Sequence, residues 1–235
     1  MTSVGPIDET EVLRLPRWLK AVAASFLTLV LAAMAFAVFE PIQVLPRIRL
    51  APGYGLVSAD GSLATSEDAR GVVTLYSFAP TDCDERCDDM FETLATVQRR
   101  IGEEVDLGET EFRIVTIALD GVDDPTALEA AATASGADGE AWRWYGGDET
   151  TIETVVANGF RRWYEPTDEG RVDFDPAFVL VDGNGLIRGD YRYQTLSSDH
   201  DKFVRHTEIL AEEIRNANGA TALAYEAAHL FLCYP

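Results

Sequence analysis

Two cysteines stand four residues apart in Thr81-Asp82-Cys83-Asp84-Glu85-Arg86-Cys87, and thiols at that spacing have two chemistries open to them. If the segment is helical, positions i and i+4 share a face, so the sulfurs can close a disulfide or hold a soft metal ion between them. A helix N-terminus favours the thiolate, and the carboxylates of Asp82, Asp84, Glu85, Asp88 and Asp89 oppose it, with Arg86 as the local offset. Those carboxylates read as solvated loop charge and are given no ligand role. The third cysteine, Cys233, lies in the apolar tail Ala220 to Pro235, four residues after His229. Packing of Leu230, Phe231, Leu232 and Cys233 against the domain or the bilayer is the expectation, and Cys233 is left out of the site. The histidines, His200, His206 and His229, fall on or near a C-terminal helix and are expected in surface or capping roles.

The elements that must position the pair can be read around it. Gly71 to Phe78 is an apolar, β-branched and aromatic run of strand length, ended by Ala79-Pro80-Thr81-Asp82 just before the cysteines. After them, Met90, Phe91, Leu94, Val97 and Ile101 recur at helical spacing with charged residues between, which predicts an amphipathic helix carrying both cysteines at or near its first turn. Phe112 to Leu119 predicts a second buried strand, and Asp124-Pro125 caps an Ala-rich helix running toward Ala134. Ala177 to Val181 predicts a third strand. Asp182-Gly183-Asn184-Gly185 has hairpin chemistry, and Leu186 to Tyr193 returns antiparallel. A helix from about Ser198 to Asn216 completes a mixed-sheet α/β order.

Composition bounds what such a fold can meet. The chain has 235 residues, with 19 Lys and Arg against 40 Asp and Glu, a formal charge of −21 that repels nucleic-acid phosphates. Nucleic acid is excluded as a partner. Ala21 to Phe39 is an apolar run that as a helix spans about 29 Å, one hydrocarbon core. Arg14, Arg17 and Lys20 precede it and Glu40 follows, so the expected topology is a single-pass cell-membrane protein with its N-terminus cytoplasmic and its domain on the extracytoplasmic side. A pair held there meets oxidants and metals that a cytosolic pair does not. The organisation read from the chain is a cytoplasmic segment 1–20, a transmembrane anchor 21–39, an extended, proline-containing tether 40–52, a domain 53–216 and an apolar C-terminal extension 217–235.

From roughly Gly53 to Arg215 the chain resembles the Sco (Sco/SenC) family. The resemblance rests on the Gly53 to Gly61 opening with Leu56, the Gly71 to Phe78 strand, the C-x-x-x-C of Cys83 and Cys87, and Ile114-Val-Thr-Ile-Ala-Leu-Asp120 followed by Asp123-Asp124-Pro125. Trp142 to Gly147 and Phe178-Val-Leu-Val-Asp182 with Gly185 complete it. The family implies a thioredoxin-like fold and delivery of copper to the dinuclear copper site of cytochrome c oxidase. By that resemblance Cys83 and Cys87 are both the reactive thiols and the ligands of Cu(I), and the partner is the copper-binding oxidase subunit or another exported thiol protein. Two departures stand out. Asp88 replaces the usual proline after the second cysteine. The Asp-His pair that supplies the family's third copper ligand, nine residues before Asp182, is Asp173-Phe174 here. Asp175-Pro176 precedes the Ala177 strand where thioredoxin-like disulfide enzymes keep a cis-proline, which tilts the expectation toward thiol exchange. Three readings follow: a Sco-like assembly factor using Cu(I) or thiol reduction, a general thiol-disulfide oxidoreductase, and a binding module with a purely structural disulfide.

Overall fold

The computed structural model describes residues 16–39, 42–192 and 199–231. The chain divides into two units, Met1–Ile42 and Gln43–Pro235. In the first, a helix α1 runs Arg17–Phe39, so the apolar run is helical. Its side chains at 33 and 35–39 lie outside the described residues, and among the described residues no helix is long and apolar enough to cross a membrane.

The second unit is built on a mixed sheet. Its strands are β1 (Arg49–Leu50), β2 (Gly55–Ser58), β3 (Leu63–Thr65), β4 (Val72–Ala79), β5 (Glu111–Ala118), β6 (Trp142–Gly146), β9 (Ala177–Val181) and β10 (Leu186–Arg192), with β7 (Tyr164–Pro166) and β8 (Val172–Phe174) forming a separate hairpin. The spatial order is β1-β10-β9-β4-β5-β6-β2-β3. Strands β4, β5 and β6 run parallel, whereas β9 lies antiparallel to β4 and β10 antiparallel to β9. The helices are α2 (Asp88–Glu104), α3 (Pro125–Ser135), α4 (Glu149–Ile152) continuing as a wide-turn helix Glu153–Phe160, α5 (His200–Arg215) and α6 (Gly219–Phe231).

The continuous apolar runs are explained by burial on both faces. Along β4, Val73, Leu75 and Ala79 enter one core with Met90, Leu94 and Val97 of α2 and Phe203 and Leu210 of α5. The alternate residues Tyr76 and Phe78 enter a second core with Val155, Val156 and Phe160. A strand covered on both sides has no polar face, so period-two alternation disappears from its sequence. The cap at Asp124 forms as expected, its carboxylate accepting from Thr126 N at 3.0 Å with Pro125 in the first turn.

The structure differs from the expectations at both margins of the domain. The stretch taken as a tether is seated: Val44 and Leu45 are fully buried, and Arg49–Leu50 pairs with Leu186–Ile187 as an edge strand. Leu45 enters the first core with Phe203 and Leu210 of α5, which leaves too little freedom for a linker. The apolar extension contains α6, on which Ala228 is buried. The hairpin β2–β3, the helix 149–160 and the hairpin β7–β8 had no separate signal in the sequence; short, half-exposed elements carry little periodicity.

Candidate functional site

The cysteine loop leaves the sheet at the end of β4 and is pinned there. Thr81 donates to the Asp120 carboxylate through its backbone N–H at 3.0 Å and its hydroxyl at 2.5 Å, which ties the loop to the end of the neighbouring parallel strand β5. A turn follows, with Cys87 N–H donating to Asp84 O at 3.0 Å. Cys87 is the N-cap of α2, and its carbonyl accepts the first helical bond from Phe91 N–H at 2.8 Å. Cys83 and Cys87 are joined in a disulfide with their Cα atoms 6.0 Å apart, an ordinary separation for the bond. The sulfurs meet through this turn and not across one helix face, because α2 begins only at Asp88. The two cysteines are unequal: Cys83 is half-buried and Cys87 is fully buried against Met90, Leu94 and the rest of the first core.

Arg86, between the two cysteines, joins the loop to β8. Its guanidinium donates to Asp84 Oδ1 at 2.8 Å and to Asp173 Oδ1 at 3.1 Å. The hydrogen bonds from Arg86 hold the Asp84 carboxyl below the usual carboxylate range. The next residue on β8 is Phe174, partly buried and packed against both cores. The salt bridge thus brings Asp173, the residue before Phe174, to the cysteine loop. Asp120, Glu149, Glu153, Tyr164 and Arg171 line a cleft beside this hairpin.

Several expectations change in light of this geometry. No cis peptide bond occurs among the described residues, so Pro176 is not the cis-proline of a thiol oxidoreductase; trans is the lower-energy form unless the fold imposes the other. His206 is no surface residue. It is buried on α5, with Tyr191 Oη 2.6 Å from its Nδ1, and burial pushes its pKa down to about 4. His229 on α6 lies 3.0 Å from Glu213, and His200 opens α5 in a half-exposed position. Among the described residues, no three His, Cys, Asp or Glu side chains are grouped to hold a metal ion. Cys233 lies outside the described residues.

The family's sequence model, SCO1/SenC, matches residues 44–211. The chain belongs to the SCO1/SenC family. Among solved structures, this Sco-family chain is similar to a SCO1/SenC family lipoprotein from Bacillus anthracis at 22% identity and TM-score 0.60, covering 68% of this chain and 94% of that one. BsSco, a Sco-family cytochrome c oxidase assembly protein in which a disulfide switch was identified, is similar at 21% identity and TM-score 0.60, with 72% and 98% covered. Arabidopsis thaliana ScoI with copper bound gives 21% identity, TM-score 0.59 and coverage of 71% and 99%. At these identities the structural likeness speaks for the fold. No curated protein matches the sequence.

Sequence reasoning found Cys83 and Cys87 and missed the two contacts, Thr81 with Asp120 and Arg86 with Asp173, that position their loop. Asp120 and Thr81 stood inside motifs already singled out, but nothing in the chain says that they bond. Arg86 and Asp173 are separated by 87 residues, and only the β7–β8 hairpin brings them together.

Proposed function

We propose that this chain is a membrane-anchored Sco-type assembly factor whose Cys83–Cys87 pair acts as a dithiol on an exported partner, the cysteines of the oxidase copper-binding subunit being the preferred target. The observation that carries the reading is the asymmetry of the pair: Cys83 is partly buried, whereas Cys87 is fully buried in the first core. In this reading the apolar run Ala21 to Phe39 is the anchor, and the positive charges that precede it support a cytoplasmic N-terminus.

In the reduced chain the Cys83 thiolate attacks a partner disulfide, forming a mixed disulfide and releasing one partner thiolate. The Cys87 thiolate then displaces the second partner sulfur. The partner leaves with both thiols reduced, and its two electrons come from the pair, which ends as the Cys83–Cys87 disulfide. Cys83 goes first because an incoming chain can reach it. A second reading is delivery of Cu(I) as cargo, favoured by the copper bound in Arabidopsis ScoI and by the softness of two thiolates, which suit Cu(I) at low coordination number. Action as a general exported oxidoreductase without copper uses the same thiol steps.

The experiment is to mix the reduced full chain with a disulfide-bonded peptide of the oxidase copper subunit, and in parallel to titrate it with Cu(I) against a competing chelator. Wild type is expected to reduce the peptide stoichiometrically, and Cys87→Ser to trap an adduct on Cys83. Adducts on Cys87, or none, would sink the thiol assignment. Phe174→His is expected to tighten Cu(I) binding tenfold or more by adding the missing nitrogen donor. Wild-type binding that is already tight and unchanged by Phe174→His would move the copper reading to the front.

A further inference from the structure

Most arginines in this acidic chain are matched to a carboxylate, but beside β10 and β1 three of them, Arg161, Arg162 and Arg192, lie close enough to Arg49 to act on its charge, with Asp190 as the carboxylate among them. Arg162 and Arg192 bind Asp190 at 2.7 and 3.0 Å. Arg162 and Arg49 both donate to the Phe160 carbonyl, at 3.0 and 3.1 Å. Arg49 is held below its usual pKa by burial and by the charges of Arg161, Arg162 and Arg192, with Asp190 opposing them. Arg161 is exposed and makes no ion pair among the described residues. Its backbone sits at φ +60°, the one positive φ of a non-glycine residue among the described residues. Glycine would adopt that conformation without steric conflict, so the position keeps a long cationic side chain against the local backbone preference. Trp163, two residues on, is 53% exposed, and Ile48 and Leu50 flanking Arg49 are 47% and 66% exposed.

This combination has one sign and one chemistry. A surface carrying −21 overall is repelled by anionic lipid headgroups everywhere except where arginines outnumber carboxylates. Guanidinium groups pair with phosphate, and an exposed tryptophan two residues from Arg161 suits the headgroup region of a bilayer.

We infer that this edge of the domain lies on the membrane, with Arg161 and Arg49 contacting the phosphates of anionic phospholipids and Trp163 entering the interfacial zone. The contact would fix which way the cysteine loop faces. The inference rests on the anchored reading above. The test uses the full chain in lipid nanodiscs of phosphatidylcholine, alone or mixed with phosphatidylglycerol, in a Trp18→Phe background that leaves Trp163 as the exposed indole, since Trp142 and Trp144 are buried. Brominated lipids report the contact by quenching. Quenching is expected to be at least threefold stronger with phosphatidylglycerol. It should be abolished by Trp163→Phe, fall to the phosphatidylcholine level in Arg161→Gly, which the backbone accommodates, and weaken at 1 M salt. Equal quenching in both discs, in a chain that stays in the disc, overturns the inference and leaves the anchor standing. A chain that does not enter the disc removes the anchor and the inference together, and an acidic protein surface would then be the partner that this patch fits.

Discussion

The two ends of the central sheet handle charge in opposite ways. At the end where β9 turns into β10, Arg188 is 2% exposed and its guanidinium is spent on four acceptors: Asp182 at 3.0 Å, Glu213 at 2.6 Å, and the carbonyls of Leu45 and Pro46 at 2.8 and 3.3 Å. Glu213 also meets His229 of α6. The buried network therefore joins the hairpin, α5, α6 and the entering chain. At the opposite end, where β4 delivers the cysteines, Arg86 bridges Asp84 and Asp173 with all three side chains roughly half exposed. Water screens those pairs, so they hold the β7–β8 hairpin near the disulfide without locking it. One end is held by a buried network, and the end that carries the cysteines is held by contacts that are easily remade.

Breaking the buried end should have the largest effect. Arg188→Met leaves Asp182 and Glu213 buried without their cation, an expected loss of about 3–5 kcal/mol in urea unfolding. Adding Asp182→Asn and Glu213→Gln should recover much of it, and a loss no larger than that of a surface arginine would erase the contrast between the ends. Next comes His206. Its folded pKa of about 4 lies below its ordinary value of 6.5, so the folded state binds fewer protons than the unfolded chain between those limits. The stability contributed by the neutral ring is full above about pH 7 and is lost as pH falls from 6.5 through 4. It is worth on the order of 2 kcal/mol after allowance for residual solvent. Unfolding measured at pH 7 and pH 4.5 should show this decrement in wild type and not in His206→Phe, each referred to its own value at pH 7. The smallest stability change belongs to Arg86→Ala, whose urea midpoint should be indistinguishable from wild type. Its signature is kinetic: dithiothreitol should reduce the Cys83–Cys87 bond faster once β8 is no longer tied across the loop. A slower rate would mean that Arg86 activates the disulfide and does not guard it.

How much was legible depends on whether a signal is local. The strand Val72–Ala79, the amphipathic helix Asp88–Glu104, the cap at Asp124 and the turn at Asp182 to Gly185 were all readable, because burial period, capping and turn chemistry act within a few residues. The cysteine pair was readable for the same reason. The seating of Val44 and Leu45 was not, since prolines on both sides suggested a linker and the core that Leu45 enters includes α5, more than 150 residues later. Nor could Asp182 be seen as anything beyond a turn residue, or Glu213 as anything but a helix surface charge, until Arg188 was placed between them.

By itself, then, the sequence determined that two thiols follow a buried strand and that the chain is strongly acidic. Tertiary structure decided which cysteine is the more deeply buried, what ties the loop to β5 and β8, and where arginines collect against the overall charge. The physical reason is distance along the chain. Hydrogen-bonded turns and helix faces are properties of neighbours, whereas burial, ion pairing and accessibility depend on which remote segments arrive at the same place.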